Sequence, residues 1–399
     1  MTVSLTEVAG LLDAAAPDLE AHHRISGPIP WQCPLIDELR AAGLTGRGGA
    51  GFPVWRKLSV VAEGDAPVVI GNGAEGEPAS SKDETLLARA PHLVLDGLQL
   101  AAQAVRAGEA YLYVSARVSD SVRAALAERA MRNWDAIPVS VVHAPEAFLS
   151  GQESAVVAAI EGKAALPADR VELTARSGVH GRPTLVQNVE TLAHIAQIAR
   201  YGAEWFRRRG TAEEPGTFLV TVSGAVREPG VHEVPLGTSL GKVLALAGGP
   251  SSELRAVLVG GYHGTWVPAA NFGIPLTRKD LSAIGGSVGA GVMVALGTGH
   301  CGLKASAEVA AYLAAQSARQ CGPCLNGLPA LAQTLQALAT GAGTAELPAR
   351  AARLADLVEG RGACHHPDGT ARFVRSTLAV FGDEIAWHLR GECAGRRTK

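Results

Sequence analysis

Gly43-Leu-Thr-Gly46-Arg47-Gly48-Gly49-Ala-Gly51-Phe52-Pro-Val-Trp-Arg-Lys57 is the stretch on which the reading of this chain turns. Five glycines fall between Gly43 and Gly51. Glycine lets a backbone approach a ligand closely and take up positive φ. Successive N–H groups in such a loop make a nest for an anion. Arg47 and Lys57 are expected to add charge-assisted contacts to a phosphate. On the loop alone, a flexible surface connection is the competing reading, so its surroundings decide.

Downstream, Val68-Val-Ile70 has the β-branched run of a buried strand. It leads directly into Asn72-Gly-Ala-Glu75-Gly-Glu-Pro78. Open α/β sheets bind ligands just beyond the carboxyl ends of strands, although Asn-Gly and Glu-Pro also suit a plain turn. A helix over 91–106, a strand over 109–114, a helix over 119–132 and a strand over 138–142 follow. Strand and helix alternating at this spacing predict a mostly parallel sheet with crossover helices. Gly151-Gln152-Glu153-Ser154 then opens a helix and Gln187-Asn188-Val-Glu-Thr191 opens another. Both places offer side chains either to a ligand or to helix capping.

Upstream, residues 1–40 read as a wrapping segment with a short helical pattern (Leu5, Val8, Leu11, Leu12) and a proline-rich crossing from Pro28 to Pro34. After Arg207-Arg-Arg-Gly210 the composition shifts. Strands at 218–223 and 231–234, a helix at 239–246 and strands at 256–259 and around Trp266 suggest a small β-grasp-like module. The remainder is helical at 305–316, 328–338, 348–358 and 370–389, the spacing of a four-helix bundle. Its loops carry Cys321-Gly-Pro-Cys324 and Cys364-His365-His366-Pro-Asp368.

The chain has 399 residues, 47% of them hydrophobic and 19% charged, and a formal net charge of −2. That balance argues against a general nucleic-acid or membrane-surface binder. No N-terminal stretch pairs a basic start with an apolar core, and no apolar run spans a bilayer, so a cytoplasmic protein is expected. Six cysteines in such a chain point to metal binding or buried thiols rather than a disulfide framework. Cys321, Cys324, Cys364 and one of His365 or His366 would suit zinc. A four-iron cluster prefers four cysteines and finds three. A redox Cys-x-x-Cys should open a helix after a strand, and this one lies between helices.

Taken together and in order, these motifs resemble the flavin-bearing, NADH-oxidising subunit of respiratory complex I and its relatives in bidirectional hydrogenases and NAD-linked formate dehydrogenases. The family's Gly-Leu-Arg-Gly-Arg-Gly-Gly-Ala-Gly-Phe-Pro and following Lys appear as Gly43 to Pro53 and Lys57, with Thr45 for one Arg. Its Asn-Ala-Asp-Glu-Gly-Glu-Pro appears as Asn72 to Pro78. Its Gly-Glu-Glu-Thr-Ala appears as Gly151 to Ala155, its Asn-Asn-Val-Glu-Thr as Gln187 to Thr191, and its Gly-x-Val-x-x-Pro-Gly hairpin as Gly224 to Gly230.

The resemblance implies a Rossmann-like α/β FMN domain over 41–210, a β-grasp (soluble ligand-binding) module over 215–298 and a helical iron–sulfur domain over 300–399. It implies FMN in the cradle of Gly46, Arg47, Gly48, Gly49 and Gly51, with Lys57 near it. NAD(H) would stack on Phe52, with catalytic acidic contacts from Glu75 and Glu153. Asn72, Gly151, Gln152, Gln187, Asn188 and Thr191 would line the pocket. A 4Fe-4S cluster would sit on Cys321, Cys324 and Cys364. Electrons would pass to a ferredoxin-like protein or a membrane-bound reductase, which would place the chain in the cytoplasm or at the periphery of a membrane complex. The alternative is a non-catalytic cofactor-binding or assembly subunit with zinc or no metal at the cysteines.

Four departures matter. Ala74 and Gln152 each replace an acid of the family pattern, so a reduced, anionic flavin is expected to be less unfavourable here. Gln187 replaces an Asn at little chemical cost. Ala318 stands where the family has its first cluster cysteine, which leaves a fourth ligand to be found. His365, with His366 and Asp368 as alternatives, is the expected substitute. A histidine ligand would raise the cluster potential.

Overall fold

The structure, a computed structural model, describes residues 10–12, 16–169, 172–342 and 344–393. Leu5 and Val8 of the expected N-terminal pattern lie outside these residues. Leu11 and Leu12 are buried in the main core.

Four strands make a wholly parallel sheet: β1 (Val68–Gly73), β2 (Glu109–Ser115), β3 (Val139–Ala144) and β4 (Thr184–Asn188). Their order is β3-β2-β1-β4. The chain therefore builds outward from β1 through β2 to β3, then returns to place β4 on the other side of β1. The crevice between β1 and β4 is the topological switch point, where open α/β sheets leave room for a ligand. Asn72 and Asn188 stand opposite each other at its carboxyl edge.

Alternating residues of these strands feed two cores, as a period of two requires. Val69, Leu112, Val114 and Leu185 face a core shared with the helices Pro91–Val105 and Val189–Arg207. Val68, Ile70, Tyr113 and Val186 face a second core with Val156 and Val157 of the helix Glu153–Ile160. The two large helices pack closely at Gly97, where a Cβ would fall 1.9 Å from the carbonyl oxygen of Leu192. Asp96 lies wholly buried in this layer, ion-paired to His22, Arg129 and Arg200 and accepting from Trp134 Nε1.

The second sheet has the order β6-β5-β9-β7-β8, formed by β5 (Thr217–Gly224), β6 (Gly230–Pro235), β7 (Leu254–Val259), β8 (Thr265–Pro268) and β9 (Val292–Gly297). The two hairpins and the intervening helix (Leu240–Leu246) match the sequence reading. The central strand β9 does not appear in it. Its Val-Met-Val-Ala-Leu-Gly run sits among glycines and is short enough to pass for a linker, yet it pairs in parallel with β5 and antiparallel with β7.

One face of this sheet closes on its own helix. The other receives the C-terminal helices through Trp266, whose indole N–H donates to Ser306 Oγ at 3.0 Å. Those helices are Gly302–Ala315, Leu328–Thr340, Leu347–Val358, His366–Val380 and Gly382–His388. The single helix expected over 370–389 is thus two, broken at Phe381, whose ring is buried against Trp266. No helix among the described residues is long and apolar enough to cross a membrane.

Candidate functional site

The glycine loop is built as a pinched hairpin over the switch point. Gly43 ends the helix Leu35–Ala42 at φ 71°, its N–H returning to the carbonyls of Leu39 and Arg40. This is a left-handed helix stop that glycine favours. Gly46 N–H donates to Phe52 O at 2.9 Å, and Val54 N–H donates to Leu44 O at 3.0 Å. Between these ties, Gly49 and Gly51 adopt φ of 100° and 59°. Among the described residues, no carbonyl or side chain takes the N–H of Gly48, Gly49, Ala50 or Gly51. Four successive donors are thus left without an intramolecular partner, as a nest for an anion requires. Gly48 packs so near Asn188 that a Cβ would lie 3.3 Å from that residue's Cβ.

Gly48, Gly49 and Ala50 line one wall of a cavity of about 470 Å³, within the range of small-molecule pockets. Gly151 and Gln152 form a second wall, Gly260, His263 and Gly289 a third, and Cys364 to Arg372 the far end. One cavity therefore touches the α/β domain, the β5–β9 module and the cysteine-bearing loop.

Of the expected site residues, Gly48, Gly49, Gly151, Gln152, Cys364 and His365 line this cavity, and Asn72, Phe52, Lys57 and Gln187 do not. Gln187 is buried, and its Nε2 finds no partner among the described residues. An orphaned buried donor at the switch point is what a bound ligand would satisfy. Asn72 Nδ2 donates to Gly151 O at 2.9 Å and thereby joins two of the motifs. Phe52 is 54% exposed, a bare aromatic face beside the loop. Lys57 Nζ pairs with Glu153 Oε1 at 2.6 Å and donates to Val186 O at 2.9 Å.

Arg47, Thr191, Glu75 and Asn188 are engaged within the protein, as is Gln152 at the cavity wall. Arg47 does not reach toward a ligand: its buried guanidinium donates to the carbonyls of Thr217 and Pro215 and to Thr45 Oγ1. Burial brings its pKa down to about 10, with Glu190 opposing and Arg278 adding to the fall. The expectation of a phosphate contact from Arg47 is therefore corrected: the side chain clamps the loop to β5. Its backbone N–H is held by Thr191 Oγ1 at 2.9 Å, which is where that threonine is spent.

Glu75 likewise turns its oxygens on its own chain, accepting from Ser80 Oγ, Asp83 N–H and Glu84 N–H. It neutralises the start of the helix Lys82–Arg89 instead of facing the cavity, which corrects its expected role as a dinucleotide contact. Burial, with the charge of Asp83, raises its pKa. Gln152 caps the helix Glu153–Ile160, its Oε1 accepting from Ser154 and Ala155 N–H. Asn188 caps the next one through Glu190 N–H and also donates to Asp83 Oδ2 at 2.7 Å.

Sequence reasoning missed Lys82 and, at the cavity, Glu77 and His263, and it named His366 only as a metal ligand. Lys82 is buried with Asp83 Oδ1 at 2.6 Å and Glu190 Oε2 at 2.9 Å, and Glu190 Oε1 accepts from Leu219 N–H. This ionic knot joins the two sheets behind the glycine loop, and Lys-Asp-Glu after a turn looks from sequence like a solvated helix start. The others line the cavity. Glu77 accepts from Tyr262 N–H at 2.8 Å, and burial raises its pKa to about 7. His263 and His366 share a 2.9 Å contact beside the Phe148 ring, and His366 Nε2 donates to Leu313 O. His366 Nδ1 is then the acceptor of that contact and His263 Nε2–H its donor.

At the cavity's far end, Cys324 is buried in the turn Pro323–Gly327, and Cys364 precedes the helix His366–Val380. Burial pushes the Cys321 thiol up, but the Cys324 and Ala363 N–H groups outweigh it and bring the pKa below the ordinary value. Cys324 is raised to about 11 by burial and by Cys321, and Cys364 is raised by burial with Cys321 contributing. Each of the three thiols thus feels at least one of the others. They do not close to within 4.8 Å of one another, as thiolates on a single ion would. A cluster spreads its ligands wider. His365 does not complete this set: its imidazole is 99% exposed and contacts Asp368 Oδ2 at 3.0 Å. The expected histidine ligand is corrected on that ground.

Unpaired N–H groups at a switch point, an orphaned amide donor, an exposed aromatic and a three-thiol loop fit a protein that binds a phosphate-bearing cofactor and a metal group. Three family models agree with this and divide the chain the same way. The Nuo51 FMN-binding domain matches residues 39–197, the SLBB domain 219–261, and the NADH-ubiquinone oxidoreductase-F iron-sulfur binding region 304–388. The chain is 31% identical over 372 residues to the NADH-quinone oxidoreductase F 2 subunit of Rhizobium meliloti, covering 89% of this chain and 88% of that one. It is 30% identical to the corresponding F subunit of Streptomyces coelicolor, covering 90% and 83%. The crystal structure of an NAD+-reducing [NiFe]-hydrogenase in the air-oxidized state superimposes with a TM-score of 0.83 at 30% identity. That likeness covers 90% of this chain and 64% of the hydrogenase chain. The chain belongs to the family of the NADH-quinone oxidoreductase F subunit, NADH dehydrogenase-type flavin oxidoreductases with FMN, NADH and 4Fe-4S sites.

Proposed function

We propose that this chain is the NAD(P)H-oxidising flavin subunit of an electron-transfer assembly and delivers electrons to a separate protein acceptor. The observation that carries this reading is the row of free N–H groups from Gly48 to Ala50 beside the β1–β4 switch point, on the same cavity as Gly151 and the cysteine loop. FMN, when bound, supplies the exchange between a two-electron hydride and single electrons, and the protein supplies orientation and electrostatics.

The chain's own residues do the positioning. The glycine N–H nest takes a phosphate, Gln187 Nε2 donates to a polar edge, and the exposed Phe52 ring offers a stacking face for a dinucleotide. The Lys57–Glu153 pair sets a fixed dipole against β4 at Val186. Because Ala74 and Gln152 bring no charge, negative charge gained on reduction meets fewer carboxylates than in the family pattern. Cys321, Cys324 and Cys364 fit three corners of a cluster. Ala318 offers no fourth ligand, so the fourth corner falls to water or to a group that moves in. On this reading the C-terminal helices are the bundle that holds the cluster, and the acceptor is a ferredoxin-like protein or a membrane-bound reductase.

A second reading, a cofactor-binding subunit without turnover, draws its support from Ala318 and from the two acids replaced by Ala74 and Gln152. The two separate in a comparison of wild type with Cys364→Ser. We expect both proteins to bind FMN and bleach it with NADH, and only the wild type to reduce a ferredoxin acceptor faster than background. Equal ferredoxin reduction by the two would contradict the cluster's place in the path. A wild type whose flavin NADH does not reduce would favour the second reading.

A further inference from the structure

A second convergence of sulfur and nitrogen lies apart from the glycine nest and the Cys321 loop. Cys301 immediately precedes the helix Gly302–Ala315, His388 ends the helix Gly382–His388, and Cys393 follows shortly after. Cys301 Sγ lies 3.3 Å from His388 Nε2, and both atoms lie within 4.8 Å of Cys393 Sγ. Cys301 and His388 are buried and Cys393 is half-buried. Tetrahedral zinc, with Zn–S of about 2.3 Å and Zn–N of about 2.0–2.1 Å, sets S···N near ~3.6 Å and S···S near ~3.8 Å. The observed spacing needs only small adjustment to meet those values.

Two simpler accounts explain less. A thiol–imidazole hydrogen bond accounts for Cys301 and His388 but gives Cys393 no reason to be there. A disulfide would join the two cysteines and leave the imidazole idle, and both thiols are free. Nor do these residues complete the cluster set. The helix Gly302–Ala315 separates Cys301 from Cys321, and its 14 residues put about 21 Å between its ends.

The third observation is a cavity of about 380 Å³ on the open side of the group. His388 and Cys393 line it together with Lys304, Glu308 and Thr340. A Cys₂His set with one side open to solvent is the pattern of zinc sites that keep an exchangeable fourth position.

We propose that Cys301, His388 and Cys393 bind one divalent transition-metal ion, zinc by the chemistry of its ligands, with the fourth coordination position open to this cavity. Two thiolates neutralise the ion, and its binding releases the two thiol protons to solvent. The ion pins the segment at Cys393 to the start of the first C-terminal helix. Softer thiolate and imidazole ligands select zinc over magnesium or calcium.

The test measures zinc, iron and acid-labile sulfide in anaerobically purified full-length protein and in the variants C364S, C393S and H388Q. We expect one zinc per chain in the wild type and in C364S, with iron lost only from C364S. C393S and H388Q should lose zinc to background while keeping iron and FMN. Cobalt(II) added to zinc-stripped protein should produce thiolate-to-metal charge-transfer and tetrahedral ligand-field bands, both absent in C393S. Zinc at background in the wild type together with no thiolate band from cobalt would overturn the proposal. So would zinc retained in both C393S and H388Q, or a Cys301–Cys393 disulfide in the anaerobic protein by mass spectrometry.

Discussion

Replacing Glu77 by Gln tests how dry the junction between the glycine cavity and the β7–β8 turn is. Glu77 accepts from Tyr262 N–H and, more weakly, from Ala79 N–H, and burial outweighs both in raising its pKa from 4.5 to about 7. The gap corresponds to about 3 kcal/mol at 1.36 kcal/mol per pKa unit. Because the side chain borders a cavity that admits water, an effect of about 1–2 kcal/mol is the reasonable expectation. The sign follows from proton binding. Between about pH 4.5 and 7 the folded protein holds a proton on Glu77 that the unfolded chain has released. Stability from this group is therefore fully present below pH 4.5 and is lost as the pH rises through 7. Glutamine keeps the acceptor for Tyr262 N–H and removes the titration. Urea unfolding of the cofactor-free wild type and E77Q, measured from about pH 5 to about pH 8.5, should show E77Q gaining on the wild type by about 1–2 kcal/mol as the pH rises. The gain should be complete just above pH 7. Other titrating groups are common to both proteins and cancel in the difference. Parallel curves would refute the reasoning and show Glu77 to be effectively solvated. A wild type that gains on E77Q with rising pH would show that an unrecognised cation holds the carboxylate.

Three other outcomes are expected. Gly49→Ala forces a side chain to φ 100° and places a methyl at the wall of the cavity; backbone strain of about 1–3 kcal/mol should lower stability and weaken FMN binding at least about tenfold by fluorescence titration. Arg47→Met should lower the stability of cofactor-free protein by about 2–4 kcal/mol in thermal or urea unfolding, since three hydrogen bonds from one buried cation are lost. A direct phosphate contact would instead weaken FMN binding and leave the cofactor-free protein unchanged. Asp96→Asn leaves Arg129 and Arg200 buried with less countercharge and should cost about 3 kcal/mol by urea denaturation, with NADH kinetics of the folded fraction unaltered.

The sequence made the α/β layer legible because its strands carry strong signals: Val68-Val-Ile70 is apolar and β-branched, and the motifs sit where strands end. The strand β4 was harder to see. Its Thr-Leu-Val-Gln-Asn run merges into a helix start, so the switch point had to come from pairing. The central β9 was invisible for a related reason: a strand buried between two others needs no alternation and can be short. At the site, sequence identified which residues matter better than what they do. Glycine spacing revealed the nest because backbone geometry is local. The direction of Arg47 depends on Thr217, far along the chain, which no local pattern encodes. Glu75 and His365 turn to near neighbours, the start of the helix Lys82–Arg89 and Asp368, where the sequence offers a ligand contact and a local contact equally well. The buried Lys82 knot was missed because nothing in Ser81-Lys-Asp-Glu distinguishes a buried cation from a solvated one.

The proposed activity requires the glycine cradle to hold FMN within reach of NADH. Anaerobic titration of the purified protein with NADH, followed by visible absorption, tests this most directly. The account requires one FMN per chain, with its oxidised absorption lost on addition of one equivalent of NADH and restored by an electron acceptor. A protein that folds yet neither carries nor takes up FMN, or whose bound FMN stays oxidised in excess NADH, would contradict it.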